Sequence, residues 1–283
     1  MSKTLFAATC LALAFPLHAQ TPPGPITPMR EASNLDRDGK TTEARVIFQR
    51  MIDSAPDPAA RAQAQRSMAM SYAFDGNCAK TIEYQEMVIA YWVTREAEDP
   101  QNAFYQEGEM ANEAARVCID AGKLDLAEQW YRKGGELGLK EPAPRTHSQN
   151  LWDFRLAHAL ARVAARRGKK AEAAKQVAVA KRILDSDSAM AVTQRRFYPY
   201  LTGYVALYTG NLKRAEEELT KAIGMTGNEN DAFMHCLLAM TYEKQGKKDR
   251  AKALYENAYE MANGHNPPGA FVRRFARTKI DQD

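Results

Sequence analysis

Cysteine and tryptophan are scarce in this chain, four and three among 283 residues, and no segment alternates apolar with polar residues in the way a half-buried strand requires. That excludes a disulfide-framework miniprotein and leaves no basis for a sheet or barrel. The usual catalytic signatures are missing too. The five histidines, His18, His147, His158, His235 and His265, form no H-E-x-x-H pair. There is no G-x-S-x-G elbow, no C-x-x-C and no phosphate-cradling glycine loop. A zinc hydrolase, a serine hydrolase of the elbow type, a dithiol enzyme and a P-loop enzyme are thereby disfavoured. Beyond residue 19 no apolar run reaches the roughly 20 residues a membrane-spanning helix needs. The expectation is a non-catalytic protein with no cofactor, no metal site and no transmembrane segment.

The N-terminus reads as a targeting segment. Lys3 supplies a positive start, Leu5 to Leu17 is mostly apolar, and Leu17-His18-Ala19 offers a cleavage site after Ala19. A membrane anchor is the other reading, but the run is short for a bilayer. Residues 1–19 are therefore expected to be a signal peptide, making the protein exported, periplasmic or secreted. Residues 20–28 follow as a proline-rich leader.

The formal charge is only +4, but it is unevenly spread. Residues 20–139 carry 13 basic and 19 acidic side chains, whereas residues 140–182 carry 11 basic and 3 acidic. The basic middle is either a solvated helix face or a surface for an anionic partner. Export turns the expectation away from nucleic acid and toward an acidic peptide, protein or glycan.

A fixed pattern recurs six times. Gly39, Gly76, Gly122, Gly168, Gly210 and Gly246 each follow a small residue by seven positions: Ala32, Ala69, Ala115, Ala161, Gly203 and Ala239. Each is followed five positions later by Ala44, Thr81, Ala127, Ala173, Ala215 or Ala251. This spacing predicts two helices crossing closely over a short turn, with axes about 8–9 Å apart. Breaks are expected at Asp99-Pro100, Gly138 to Thr146, Asp185 to Ser188 and Thr226 to Asp231. Pro199 should bend or split its helix near Phe197.

The last unit, with Leu238-Ala239, Tyr242, Gly246, Ala251, Tyr255 and Ala258, resembles the tetratricopeptide repeat (TPR). The first unit fits through Ala44, Phe48 and Pro56, and the third through Ala127 and Tyr131. The middle units depart from the motif: Ala164 and Ala206 replace its first aromatic, and Gln85 and Val177 its second. The resemblance covers most of residues 29–262. It implies an all-α, right-handed α-solenoid of about six helical hairpins, with residues 263–283 as a C-terminal capping helix or tail. The apolar side of that tail, Phe271, Val272 and Phe275, leaves a membrane-surface helix as an alternative.

In solved members of the family, positions ten, six and two before the turn glycine line a concave groove. Here they include Asn112, Arg116 and Asp120, then His158, Arg162 and Arg166, then Tyr200, Tyr204 and Tyr208. The resemblance thus implies a groove of Arg116, His158, Arg162, Arg166, Tyr200, Tyr204 and Tyr208 for an extended acidic ligand; the other reading makes the tyrosines core residues. The family's lysine, asparagine and arginine clamp for a terminal carboxylate is not matched, since the corresponding offsets give Arg66, Met70, Glu113, Arg155 and Ala159. Cys78 and Cys118 fall at one end of the stack, as a disulfide or as two buried thiols. The function so implied is a protein-interaction scaffold of the bacterial cell envelope, with an acidic-glycan-binding accessory protein as the alternative.

Overall fold

The computed structural model describes residues 26–281. The expected signal peptide, residues 1–19, and residues 20–25 of the expected leader lie outside the described residues. Six hairpins follow the glycine pattern, the first four being α1 (Pro28–Arg37) with α2 (Thr41–Asp53), α3 (Pro58–Phe74) with α4 (Cys78–Val93), α5 (Pro100–Asp120) with α6 (Leu124–Gly138), and α7 (Gln149–Arg166) with α8 (Lys170–Ser186). A short α9 (Ser188–Gln194) and a 3-10 turn (Arg195–Phe197) lead into α10 (Tyr198–Thr209) with α11 (Leu212–Ile223). Then come α12 (Ala232–Lys244) with α13 (Lys248–Met261), and finally α14 (Pro267–Ile280). The described residues contain no strand, and the architecture is an all-α helical repeat solenoid.

Each turn is made the same way. The six turn glycines all have positive φ, between 68° and 89°, a region costly for any side chain. The residue after each glycine donates its main-chain N–H to the carbonyl five positions earlier: Lys40 to Leu35, Asn77 to Tyr72, Lys123 to Cys118, Lys169 to Ala164, Asn211 to Ala206 and Lys247 to Tyr242, all at 2.8 or 2.9 Å. Such bonds satisfy carbonyls that a helix end otherwise leaves open. Asn77 and Asn211 also cap the following helices through their side chains. Proline opens α1, α3, α5, α10 and α14, where a missing N–H costs nothing. Pro199 accordingly splits the fifth unit's first helix, and α10 starts only at Tyr198.

All twelve small residues flanking the turns are buried. Thr81 shows the crossing directly, its Oγ1 donating to the carbonyl of Ala69 at 3.3 Å. At the fifth crossing the small residue must be glycine: a Cβ on Gly203 would lie 2.7 Å from Leu219 Cγ and 3.1 Å from its main-chain N. Bulky side chains such as Phe48, Tyr131, Leu219 and Tyr255 are displaced sideways and fill the space between units. Cys78, at the start of α4, is disulfide-bonded to Cys118 near the end of α5, with Cα atoms 4.8 Å apart. Cys236 is a buried free thiol.

The final helix caps the last hairpin by packing on α13 and α12, and it does more. It crosses the concave side of the stack and also packs on α3 and α5. Its residues Ala270, Phe271, Val272 and Ala276 are buried, with Ala270 among Ala73, Phe74 and Val117 and Phe271 edge-on to Phe233. Three arginines anchor it at the C-terminal ends of other helices, where carbonyls favour a cation. Arg277 donates to the carbonyls of Arg37 and Asp38 after α1, both at 3.2 Å. Arg273 donates to Ala262 after α13 at 2.9 Å, and the Arg274 guanidinium lies against Gly76 after α3. Arg37 in turn reaches the carbonyl of Asn263 at 2.6 Å, and His265 Nε2 lies 2.7 Å from Asp36 Oδ2. The first and last units are thus joined. The apolar side of α14, open to a membrane-surface reading in the sequence, is spent inside the protein.

Two outcomes follow from this packing. Ala251→Leu overpacks the last crossing and is expected to cost about 1–3 kcal/mol, read as a lower denaturation midpoint; an unchanged midpoint contradicts the assigned pairing. Replacing both Cys78 and Cys118 by alanine opens a loop with a sequence separation of 40 and is expected to cost about 2–4 kcal/mol. Alkylation of the denatured protein is expected to label this pair only after reduction; labelling of Cys78 and Cys118 without a reductant would disprove the bond.

Candidate ligand-binding cavity

Because α14 occupies the concave face over α3 and α5, the groove is not an open channel. What remains is a cavity of about 410 Å³ between the third, fourth and fifth units, the start of α12 and the start of α14. Its lining has three parts. A basic part is made by Arg116 of α5 and His158 and Arg162 of α7, with the phenols of Tyr131 and Tyr200 beside them. An aromatic part comes from Phe154, Phe197 and Phe233. A third part, Glu109, Glu113 and Arg155, is already internally paired: Arg155 Nη1 meets Glu109 at 2.5 Å, and Arg66 forks onto Glu113.

Four of the seven residues expected in a groove therefore share this cavity: Arg116, His158, Arg162 and Tyr200. The other three lie beyond it. Tyr204 is only 1% exposed and packs within the hydrophobic core shared by α10 and α12. Tyr208 follows at 4.6 Å between ring centroids, and Arg166 stacks over it at 4.8 Å. The tyrosines therefore do not form a ladder facing solvent; α10, which starts only at Tyr198, packs against α7 and α12. For Tyr204 the core reading is the correct one.

Part of the basic segment is absorbed by ion pairs with the unit before it. Arg155 pairs with Glu109, and Arg167 pairs with Asp125 and Glu128 of the preceding unit. Excess acid in residues 20–139 and excess base in residues 140–182 thus partly neutralise each other across the third and fourth units. Arg162 is different. It is 6% exposed, and its two terminal nitrogens donate to Tyr131 at 3.1 Å and Tyr200 at 3.2 Å, both neutral oxygens. Arg116 is ion-paired with Asp120 at 3.2 Å and lies over the Phe233 ring at 4.1 Å.

Burial, reinforced by Arg162 and Arg116, holds the His158 imidazole well below its usual pKa and hence neutral. Burial likewise pushes the Tyr131 phenol up, so it stays protonated. Sequence reasoning missed Tyr131 as a site residue, using it only as a match to the repeat motif in the third unit. It also missed Phe154, which precedes His158 by one helical turn and was legible on that spacing. Among the described residues no cluster of His, Cys, Asp or Glu is placed to hold a metal, and no helix is long and apolar enough to cross a membrane.

For His158 the sign of the pH effect is fixed. Its folded pKa lies below the usual 6.5, so as pH falls through 6.5 the unfolded chain takes up a proton that the native protein refuses, and stability drops. His158→Gln is expected to lessen the stability loss between about pH 6.5 and pH 5. An imidazole resonance for His158 that titrates near 6.5 in the folded protein contradicts this.

The family model for the tetratricopeptide repeat matches residues 234–265, most of α12 and all of α13. No curated protein matches the chain. Six hairpins share one glycine-centred plan, and the matched motif lies on the last of them: the chain is an all-α helical-repeat protein that carries a tetratricopeptide repeat at residues 234–265.

Proposed function

We propose that this protein is a non-catalytic interaction scaffold of the bacterial cell envelope whose partner is recognised at the concave cavity. Tetratricopeptide repeats generally mediate protein–protein interactions, which supports the scaffold role. The observation that carries the rest is the cavity itself: a concave opening with basic and aromatic walls, left free where α14 covers the remainder of the groove. A long peptide lying along all six units does not fit this arrangement; a short acidic segment or chain end does. The disulfide between Cys78 and Cys118 supports export, since such bonds persist in oxidising compartments. An acidic glycan end is the second reading, favoured by the same arginines beside aromatic rings.

The experiment is affinity capture from a periplasmic extract with the wild-type protein and with Gln194→Trp. Gln194 is a half-buried lining residue at the end of α9, and an indole there takes up cavity volume while leaving every charged side chain of the lining unsubstituted. A partner retained by the wild type and lost by the variant, with helicity unchanged, is the expected result. Equal retention by both removes the cavity from the interaction. Binding to acidic glycans on an array, with no captured protein, selects the second reading.

A further inference from the structure

We propose that the cavity is a carboxylate-binding site, in which Arg116 and Arg162 together hold one carboxylate whose apolar body rests on the aromatic wall. The proposal rests on the reading that the cavity is where a ligand binds, and it names that ligand's chemistry.

The first support is charge. Two guanidinium groups from adjacent repeats line one cavity, and Asp120 is the acid paired with either. Arg162 makes no ion pair among the described residues; its partners are phenols. A buried cation without a counter-charge is strongly disfavoured, and proteins normally pair such groups. A single bound carboxylate supplies the missing charge.

The second support is unmet hydrogen bonding. Arg116 Nη2, Arg162 Nε and His158 Nε2 are each buried without a partner, while Arg162 and His158 are 6% and 8% exposed. Buried polar atoms of this kind are ordinarily satisfied. Guanidinium nitrogens match carboxylate oxygens in geometry, and bonds to charged groups are the strong ones. His158, kept neutral by burial and by the two arginines, adds a hydrogen-bonding atom without further charge.

The third support is how the acids of the lining are already engaged. Glu109 and Glu113 are paired with Arg155 and Arg66, and Asp231 caps α12 by accepting from the main-chain N–H of Met234. None of them is ion-paired with Arg162, whose charge is left for a bound anion. Phe233, beneath Arg116, offers the apolar surface. A volume of about 410 Å³ admits a small organic acid or the last residue or two of a chain. Free acids and chain ends share this chemistry, and the test separates them.

The test measures melting temperature and titration calorimetry at fixed ionic strength, with sodium chloride as reference. Probes are sodium phenylacetate against phenylacetamide, and the peptide Ala-Ala-Phe with a free against an amidated C-terminus. A saturable rise in melting temperature with a free carboxylate, absent with the matching amide, supports the proposal; response to phenylacetate or to the peptide assigns a free acid or a chain end. Arg162→Met is expected to melt higher than wild type without ligand, because it removes an unpaired buried charge, and to bind about tenfold more weakly or worse. Should that variant not fold, Gln194→Trp serves as the blocked cavity and must lose the response. If no carboxylate outperforms its amide, the proposal is overturned, and a capture experiment still sensitive to Gln194→Trp then leaves the scaffold reading standing without it.

Discussion

Every level of this structure depends on two helices approaching until only hydrogen or a methyl group separates their backbones. The twelve small residues around the turn glycines make that possible, and Gly203 against Leu219 shows the limit, where even one methyl would collide with the Leu219 side chain at 2.7 Å and press on its main-chain N. Close axes leave no room for large side chains at the crossing. Phe48, Tyr131 and Tyr255 are pushed to the flanks, where they have no shelter until another hairpin stacks beside them. The stack, its concave side and the cavity within it follow from that displacement.

Simple stacking does not complete the fold. An open solenoid has ends that behave nearly independently, whereas α14 ties the sixth unit to the first and second through carbonyl-capping arginines and the Asp36–His265 contact. Asp36 is itself buried and also accepts from Ser71 at 2.7 Å. The closing helix determines what can bind, because it takes the part of the concave face that an extended ligand would need. Within the cavity wall, Arg155 pairs with Glu109 of the unit before it, whereas Arg162 is left with phenols alone.

Features written locally in the chain were legible there. A glycine with positive φ, a capping asparagine, a proline at a helix start and two cysteines at one end of neighbouring hairpins each depend on residues close by in sequence or one repeat away. The turns, the breaks, the split at Pro199 and the feasibility of the Cys78–Cys118 bond were therefore readable. The path of α14 was not. Ala270, Phe271, Val272 and Ala276 pattern like the face of a terminal cap, and nothing in their spacing says that the partners include Phe74 and Val117, more than 150 residues away. Tyr204 failed for a related reason: helical spacing gives the stripe it belongs to, but the rotation of α10 against α7 and α12 decides whether that stripe faces a ligand or the core. Ion pairs across repeats, such as Arg155 with Glu109, were likewise hidden in a charge count that sees only segments.

The central claim, a repeat stack closed on itself by its last helix, is tested most directly by a distance between its ends. Spin labels at Asp38, after α1, and Thr278, beside Arg277 in α14, are separated by 240 positions in sequence but lie at one contact. Pulsed electron resonance is expected to give a single narrow distribution at the short limit of the method. A broad or long distribution, as an open solenoid with a free terminal helix produces, would contradict the account.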